Sequence, residues 1–407
     1  MAKYQLKEVK TVEDARVWLH ADRKIYEGNR YWVCPLDDDI ERVFDPRRNH
    51  LFEGGEAIRW VAIDEQGEAV GRIAAFYNRE QLSVNANVGG CGFFESIDNQ
   101  EVANMLFDAA REWLSVRGVE GMDGPVNFGS RDAWWGLLVE GFDYEPLYTN
   151  PYHQPYYKTL FENYGFQNYF NQNSYIWRAE DGVLSEVAQE KAQRLLSHPD
   201  YRIEDVRHTN LSVAAEHLRT IYNKAWSLFT GVKPMTEEEA QKLMQTLKPI
   251  IDRDIIYFAY HNEEPIGFFV MVPDLNCIIG KFGGRFGIIE KLRLMWDLKV
   301  RKVCNRTFGI IFGITPEYQG KGVESAIMYH IHETFVKTGR SHYASFEFAW
   351  IGDFNPVMNR MIERYVCATK HKMHTTYRYY FDRTRPFERC PRLGLRRTEN
   401  GKRRTEN

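Results

Sequence analysis

The order of strand and helix signals in the first half of this chain recurs in the second, and that duplication constrains the fold more than any single motif. In the first half, Thr11-Val12-Glu13-Asp14 can cap a helix that runs through Trp18 and Ile25. Two β-rich runs, 59–63 and 69–76, flank the turn residues Asp64-Glu65-Gln66-Gly67, which predicts a hairpin. A helix over about 100–116, a strand closed by Gly121-Met122-Asp123-Gly124-Pro125 and a short helix stopped by Gly165 follow. In the second half, 201–206 predicts a strand, 211–226 a helix, and Thr236-Glu237-Glu238-Glu239 a capping box. A second hairpin, 255–260 with 265–272, turns at His261-Asn262-Glu263-Glu264. Residues 307–314 lack alternation and predict a strand buried on both faces. Helix 322–337, strand 343–350, helix 356–365 and strand 373–381 complete the repeat. The pattern predicts an α/β (α+β) protein of two lobes, each a mixed, mostly antiparallel sheet flanked by helices.

The expected boundaries are 1–178 for the first lobe, 179–200 for a polar helical connector, 201–390 for the second lobe and 391–407 for a basic tail. The tail repeats Arg-Arg-Thr-Glu-Asn at 396–400 and 403–407, lacks apolar anchors and is expected to be disordered. The 407 residues carry 53 basic and 56 acidic side chains, a net charge of −3, which argues against nucleic-acid binding through overall positive charge. With 25 Phe, 23 Tyr and 10 Trp there is ample material for cores. No apolar run reaches the roughly 18 residues of a membrane span, and the N-terminus has no run of signal-peptide type. The six cysteines are scattered without a C-x-x-C pair, so reduced thiols and a cytoplasmic location are expected.

The strongest chemical signal is Ile314-Thr315-Pro316-Glu317-Tyr318-Gln319-Gly320-Lys321-Gly322-Val323. A strand ends, a glycine-containing turn follows, and a helix begins whose Val323, Ala326, Ile327, Ile331, Thr334 and Phe335 share one face. Glycine lets several N–H groups converge at the helix N-terminus, where the dipole favours an anion, and Lys321 adds positive charge. An ordinary strand-to-helix turn would also use glycine and lysine, so the turn alone decides nothing.

Strand, turn and helix together resemble the acyl-CoA pyrophosphate motif of GNAT N-acyltransferases, Gln/Arg-x-x-Gly-x-Gly/Ala. The motif falls here on Gln319, Gly322 and Glu324, the last an acid where the family has a small residue. The first lobe resembles the same fold without the phosphate loop. Further runs, Gly124-Pro125-Val126-Asn127-Phe128, Pro155-Tyr156-Tyr157 and Asn355-Pro356-Val357-Met358-Asn359-Arg360 among them, are similar to a bacterial tandem-GNAT group that includes ceramide synthases. The resemblance implies transfer of an acyl group from acyl-CoA, or an acyl-carrier thioester, to a primary amine such as that of a sphingoid base. It implies acyl-CoA as co-substrate, with no tightly bound cofactor and no metal. The expected donor site comprises Phe312 and Ile314 on a splayed strand edge, Gln319, Gly320, Lys321, Gly322 and Val323 in the turn, and Asn355, which is equally a helix cap. Glu347, amid aromatics on its strand, is expected to have a raised pKa if buried and to take the amine's proton; a strand glutamate facing solvent, or one paired with an arginine such as Arg360, is the alternative. The tyrosine that protonates the leaving thiolate in many GNAT enzymes falls on Ile362, or on Phe161 in the first lobe, so Tyr377 or Tyr379 on the final strand, or water, is the expected substitute, and the acid stays unassigned.

Segment 281–306 holds eight basic residues against Glu290 and Asp297, interleaved with Phe282, Phe286, Ile288, Ile289, Leu292, Leu294, Met295, Trp296 and Leu298. Peripheral contact with an anionic membrane at its inner face and a core helix with solvated charges fit it equally. On geometry, His330 with His332, and His371 with His374, make poor pairs for a metal. Trp134, Trp135, Tyr152, Tyr156 and Tyr157 read as packing. Two other functions stay open: transfer from an aminoacyl-tRNA, which calls for a long helical hairpin arm, and a non-catalytic GNAT-like binding module.

Overall fold

The computed structural model describes residues 3–180, 182–226, 234–337, 341–392, 395–397 and 403–405. The first half runs β1 (Tyr4–Glu8), α1 (Val12–Ile25), α2 (Asp37–Phe44), β2 (Gly55–Asp64), β3 (Ala69–Asn78), α3 (Arg79–Val84), β4 (Val88–Ser96), α4 (Gln100–Ser115), β5 (Gly121–Gly124), β6 (Leu137–Glu140), α5 (Tyr157–Tyr164) and β7 (Gln167–Arg178). The second runs α6 (Glu186–Leu196), β8 (Tyr201–Asp205), α7 (Leu211–Trp226), α8 (Glu237–Leu247), β9 (Ile256–His261), β10 (Glu264–Pro273), α9 (Asn276–Ile279), α10 (Ile288–Met295), β11 (Arg306–Ile314), α11 (Val323–His332), β12 (Ser345–Gly352), α12 (Pro356–Met361) and β13 (Thr369–Tyr380). The caps form as their residues dictate. The Asp14 amide donates to the Thr11 hydroxyl at 3.1 Å and the Thr11 amide to the Asp14 carboxylate at 3.0 Å. Thr236 and Glu239 close the matching box on α8, and Gly165, at φ 108°, ends α5 in the left-handed conformation.

The last strand of each half lies in the other half's sheet. One 13-stranded sheet runs β1-β2-β3-β4-β5-β13-β7-β12-β11-β10-β9-β8, with β6 also against β13. Thus β13, from the C-terminal half, pairs antiparallel with β5 through Tyr377–Gly124 to Tyr380–Gly121. In return β7, from the N-terminal half, pairs antiparallel with β12, and β7 and β13 pair with each other along nearly their full lengths. Among the described residues two pairs are parallel, β4 with β5 and β11 with β12, at equivalent places in the two lobes.

Helices cover both faces. α4 and α5 bury Phe107, Leu114, Phe161 and Tyr157 against the first lobe's strands, and α7 and α8 cover one face of β9 and β10. α6 is not a free connector: its Ala188, Ala192 and Leu195 are buried in the second lobe's core with Ala326, Ile327 and Ile331 of α11. β11 departs from the expectation of burial on both faces, because a bulge opposite Val270 and Met271 leaves Ile310 exposed. In the tail, Leu395–Arg397 pairs antiparallel with Arg403–Thr405, where disorder is expected; its other residues beyond 392 lie outside those described. Among the described residues no helix is long and apolar enough to cross a membrane.

Because β13 completes both lobes, removing it strips each of a hydrogen-bonded neighbour. A chain ending at residue 366 should lose the cooperative melt of the whole molecule, and one ending at 392 should keep its midpoint within about 2 °C. Calorimetry decides this; a surviving native transition for the first lobe in the shorter chain would refute the dependence.

Candidate functional site

β11 and β12 pair only from Arg306–Ser345 to Gly309–Phe348. Beyond Gly309 the bulge turns β11 away, and the two strands diverge toward their C-terminal ends. Phe312 and Ile314 therefore lie on a stretch of β11 that pairs with β10 on one side and with no strand on the β12 side among the described residues. The Phe312 ring packs edge-on to Phe269 at 5.3 Å, and Ile314 is buried beneath α11.

The turn after β11 brings its expected residues together, but part of the expected nest is occupied. The Lys321 amide donates to the Tyr318 carbonyl at 3.3 Å and the Gln319 amide to the Pro316 carbonyl at 3.4 Å. The Gln319 side chain donates to the Ile314 carbonyl at 2.9 Å, which ties the turn to the strand end. The Gly320 amide donates to the Glu324 carboxylate at 3.0 Å, so the residue that departs from the family motif fills one seat itself. Gly320 and Gly322 stand at φ 71° and 100°, left-handed values that favour glycine. Gly322 caps α11 without any side-chain hydrogen bond. Among the described residues the amides of Gly322, Val323, Glu324 and Ser325 have no partner, as expected for the first turn of a helix without a cap. The available cradle is therefore 322–325, shifted toward the helix from the expected 319–323. Lys321 stands beside it with its ammonium 5.3 Å from the Tyr318 ring centre.

Across the sheet lies a cavity of about 480 Å³, lined by β7, β11, β12 and β13 together with Tyr144, Glu145 and Leu147 of the first lobe. Phe346 and Phe348 of β12 pack on the α11 side, and Glu347 between them points the other way, into this cavity. Cradle and cavity thus occupy opposite faces, with the divergence of β11 and β12 between them.

Glu347 is buried, but its surroundings overturn the expected raised pKa. Burial pulls the pKa up, yet Lys372 and His371 outweigh it and hold the carboxyl at about 2. The Lys372 ammonium lies 2.9 Å and the His371 Nε2 3.1 Å from its oxygens. The sequence singles out His371 only as a poor metal partner for His374 and does not single out Lys372. Consecutive strand residues normally face opposite sides, but a bulge between Lys370 and Lys372 brings His371 and Lys372 to the same carboxylate. Arg306 at the cavity wall pairs with Asp274 at 2.9 Å and Glu145 at 2.8 Å, joining the lobes.

Tyr377 is not at this site. Strand exchange carries it into the first lobe's core, where its hydroxyl donates to Glu162 at 3.1 Å and its ring lies 5.7 Å from that of Phe161. Tyr379 goes with it, packed on Tyr164 and Phe166. Asn355 is a helix cap, its side chain accepting the Met358 amide at 3.1 Å. Arg360 bonds the Pro356 carbonyl and leaves Glu347 to Lys372. Among the described residues no His, Cys, Asp or Glu cluster has the make-up to hold a metal.

The first lobe has the same divergence and has closed it. β4 and β5 pair only over Val88–Gly90 with Gly121–Asp123. The Val126 amide then donates to the Cys91 carbonyl at 2.8 Å. A Cβ on Gly92 would sit 1.7 Å from the Val126 carbonyl oxygen, so the chain itself fills the gap. The Asn99 side chain caps α4 by accepting from Glu101 and Val102, leaving no cradle there. Tyr157 on α5 accepts from the Ser96 amide at 3.0 Å and donates to Glu95 at 2.7 Å, and burial pushes Glu95 up to about 8.

The Glu347 carboxyl has a folded pKa below its unfolded value, so its stabilisation is full above about pH 4.5 and is lost as the pH falls toward 2. Glu347→Gln leaves a buried Lys372 unpaired and should cost about 3–5 kcal/mol at neutral pH. Acid-titrated melts of Glu347→Gln should be flatter than wild type over that window. The pair Glu347→Leu with Lys372→Met should recover most of the loss; an unchanged acid limb in Glu347→Gln would contradict the assignment.

No protein-family model matches the chain. It is 28% identical over 380 residues to the bacterial ceramide synthase of Caulobacter vibrioides, covering 91% of this chain and 95% of that protein. It is 27% identical over 374 residues to protein YghO of Escherichia coli, covering 89% and 92%. Among solved structures, a tandem GNAT protein from the clavulanic acid biosynthesis pathway superposes with a TM-score of 0.53 over 95% of this chain and 100% of that one, at 10% identity. A glucosamine N-acetyltransferase region in a fungal multi-domain β-N-acetylglucosaminidase superposes with a TM-score of 0.52 over 93% of this chain at 12% identity; the chain spans 38% of that larger protein. Two lobes, one with an open divergence and an uncapped helix and one with both closed, make this a chain of tandem GNAT fold, similar in sequence over most of its length to the bacterial ceramide synthase.

Proposed function

We propose that the protein is an N-acyltransferase whose second lobe carries the reaction, moving an acyl group from acyl-CoA or another phosphopantetheine thioester to a primary amine. The observation that carries this is the contrast between the lobes. The equivalent turn and gap are closed in the first by Asn99 and Val126 and left open in the second on the β12 side of 310–314 and at the amides of 322–325. In this reading the diphosphate takes the amides of 322–325 and the Lys321 charge. Pantetheine lies along Phe312–Ile314 as an added strand, and a strand amide at the divergence receives the thioester oxygen as charge develops on it.

The amine enters from the cavity. Its nitrogen forms the new bond to the thioester carbon, and the carbon–sulfur bond breaks to release the thiolate. Glu347, ionised at neutral pH, attracts and orients the ammonium and is a weak proton acceptor, so the proton leaves to water. In this reading the thiolate departs without a tyrosine, since Ile362, and Phe161 in the first lobe, stand where the GNAT resemblance would place one. The likeness to the ceramide synthase supports a lipid amine as acceptor and a long acyl chain as cargo. Glu324 on the Gly320 amide is the observation that favours a non-catalytic binding module instead.

Incubation with palmitoyl-CoA and a sphingoid base, followed by mass spectrometry of the amide and by thiol release, tests the reading; no product with any chain length from acetyl to palmitoyl would overturn it. Glu324→Ala frees the Gly320 amide and removes a negative charge near the cradle. It should tighten acyl-CoA binding about 3–10-fold, seen as a larger ligand-induced rise in melting temperature. Weaker binding would place the diphosphate elsewhere.

A further inference from the structure

The excursion between β10 and β11 resolves what its sequence leaves even. At 100° per residue, Ile288, Ile289, Leu292, Met295 and Trp296 fall within an arc of about 120°. That arc faces outward: Ile288 is 78% exposed, Ile289 77%, Leu292 67% and Trp296 58%, with Val300 at 59% just beyond. The opposite face holds the helix down. Leu294 and Leu298 are buried with Phe282, Ile278, Leu275 and, from the first lobe, Leu36. Asp297 is buried between Arg301 at 2.8 Å and Arg293 at 3.6 Å. The Asp37 amide of α2 donates to the Gly284 carbonyl at 2.9 Å, locking the segment to the first lobe. These apolar side chains are therefore presented by a fixed element.

Their surroundings choose the partner. Lys291 and Arg293 fall about 40° beyond the two edges of the arc, and Lys281, Arg285, Arg301 and Lys302 are exposed around it. A second copy of this chain would bring that positive ring against itself. The patch, about 20 Å long by 10 Å wide, is also far short of the roughly 800 Å² per partner of a stable dimer. An anionic bilayer offers both halves of the match, acyl chains for the arc and phosphates for the ring.

We propose that α10 with the turn after it docks the protein on an anionic membrane surface, with Ile288, Ile289, Leu292 and Trp296 at the acyl boundary. This rests on the acyltransferase reading only for its purpose. Five residues after Val300 the chain enters the cavity wall at Asn305, within roughly 20 Å, so docking holds the acceptor cavity near the bilayer from which a lipid amine would come.

Sedimentation of the full chain with vesicles tests the surface without any turnover. Wild type should sediment with phosphatidylcholine vesicles containing about one-third phosphatidylglycerol, weakly with phosphatidylcholine alone, and less at about 0.5 M salt. Leu292→Asp with Trp296→Asp should lower the partition constant at least about tenfold with an unchanged melt. Lys281→Gln with Arg285→Gln and Lys291→Gln should remove the anionic preference and provides the check should the first variant misfold. Wild type that stays in the supernatant, or variants that bind as it does, would overturn the proposal. So would a concentration-dependent dimer broken by Leu292→Asp. Acylation of a water-soluble amine, measured in parallel, should survive in the variants; vesicle binding without acyl transfer by wild type would sink the acyltransferase reading and support this surface alone.

Discussion

The backbone hydrogen bonds of β7 and β13 are the constraint on which the rest of the structure depends. A strand edge in a folded chain must be paired, covered or left to water, and here each lobe's missing edge is paired by a strand from the other half. The lobes are therefore one sheet, and the cavity is a product of the exchange. Its walls include Ile176 and Arg178 of β7 and His371 and Lys372 of β13, set around Glu347 of β12. Neither half alone has the residues to build it. The ion pairs follow the same seam: Lys372 on Glu347 ties β13 to β12, and Arg306 ties β11 to Glu145 of the first lobe. Lys372 and Glu347 are both buried, and a buried charge is costly unless paired, so the register of the exchanged strands is what allows that pair to form.

Duplication explains why one lobe is closed. Both keep a parallel pair that diverges after a bulge, at Phe93 in the first and Ile310 in the second. In the proposed reading one copy holds the donor, which leaves the other free to satisfy its gap internally. Val126 on Cys91, Asn99 on the α4 amides and Tyr157 on the Ser96 amide each fill a position that would otherwise be open. The buried Arg72 with Asp22 and Glu95 completes a first lobe whose polar groups turn inward on each other.

How much of this the sequence shows depends on the range of the interaction that decides it. The capping boxes at Thr11 and Thr236, both hairpins and the inward face of α11 rest on neighbours within a few residues, and they stand where periodicity puts them. Tyr377 does not, because its strand is chosen by pairing with residues some 250 positions away and nothing in its local pattern records that. Glu347 was legible as a buried acid beside a sheet edge, but the sign of its pKa shift was not. That depends on a one-residue bulge that turns two neighbours on β13 to the same side. The outward face of α10 is the even case: interleaved basic and apolar residues fit a core helix or a surface one, and Leu275, Ile278 and Phe282 with Leu36 of the other lobe, by taking up Leu294 and Leu298, decide which face is left over.

Glu324 sits where an acid is favourable for the helix and unfavourable for an anionic ligand. In the first turn of α11 its charge complements the helix dipole, a contribution of about 0.3–1 kcal/mol at an exposed site, and it occupies the Gly320 amide. A diphosphate arriving there gains nothing from that amide unless the carboxylate swings away. It meets open donors only at 322–325, where the backbone presents up to four. The arithmetic favours the ligand if it engages two or more of them, since hydrogen bonds to a charged group contribute about 1.5–3 kcal/mol each. In the proposed reading Glu324 holds the Gly320 amide while the cradle is empty and lowers, without abolishing, the affinity for the donor.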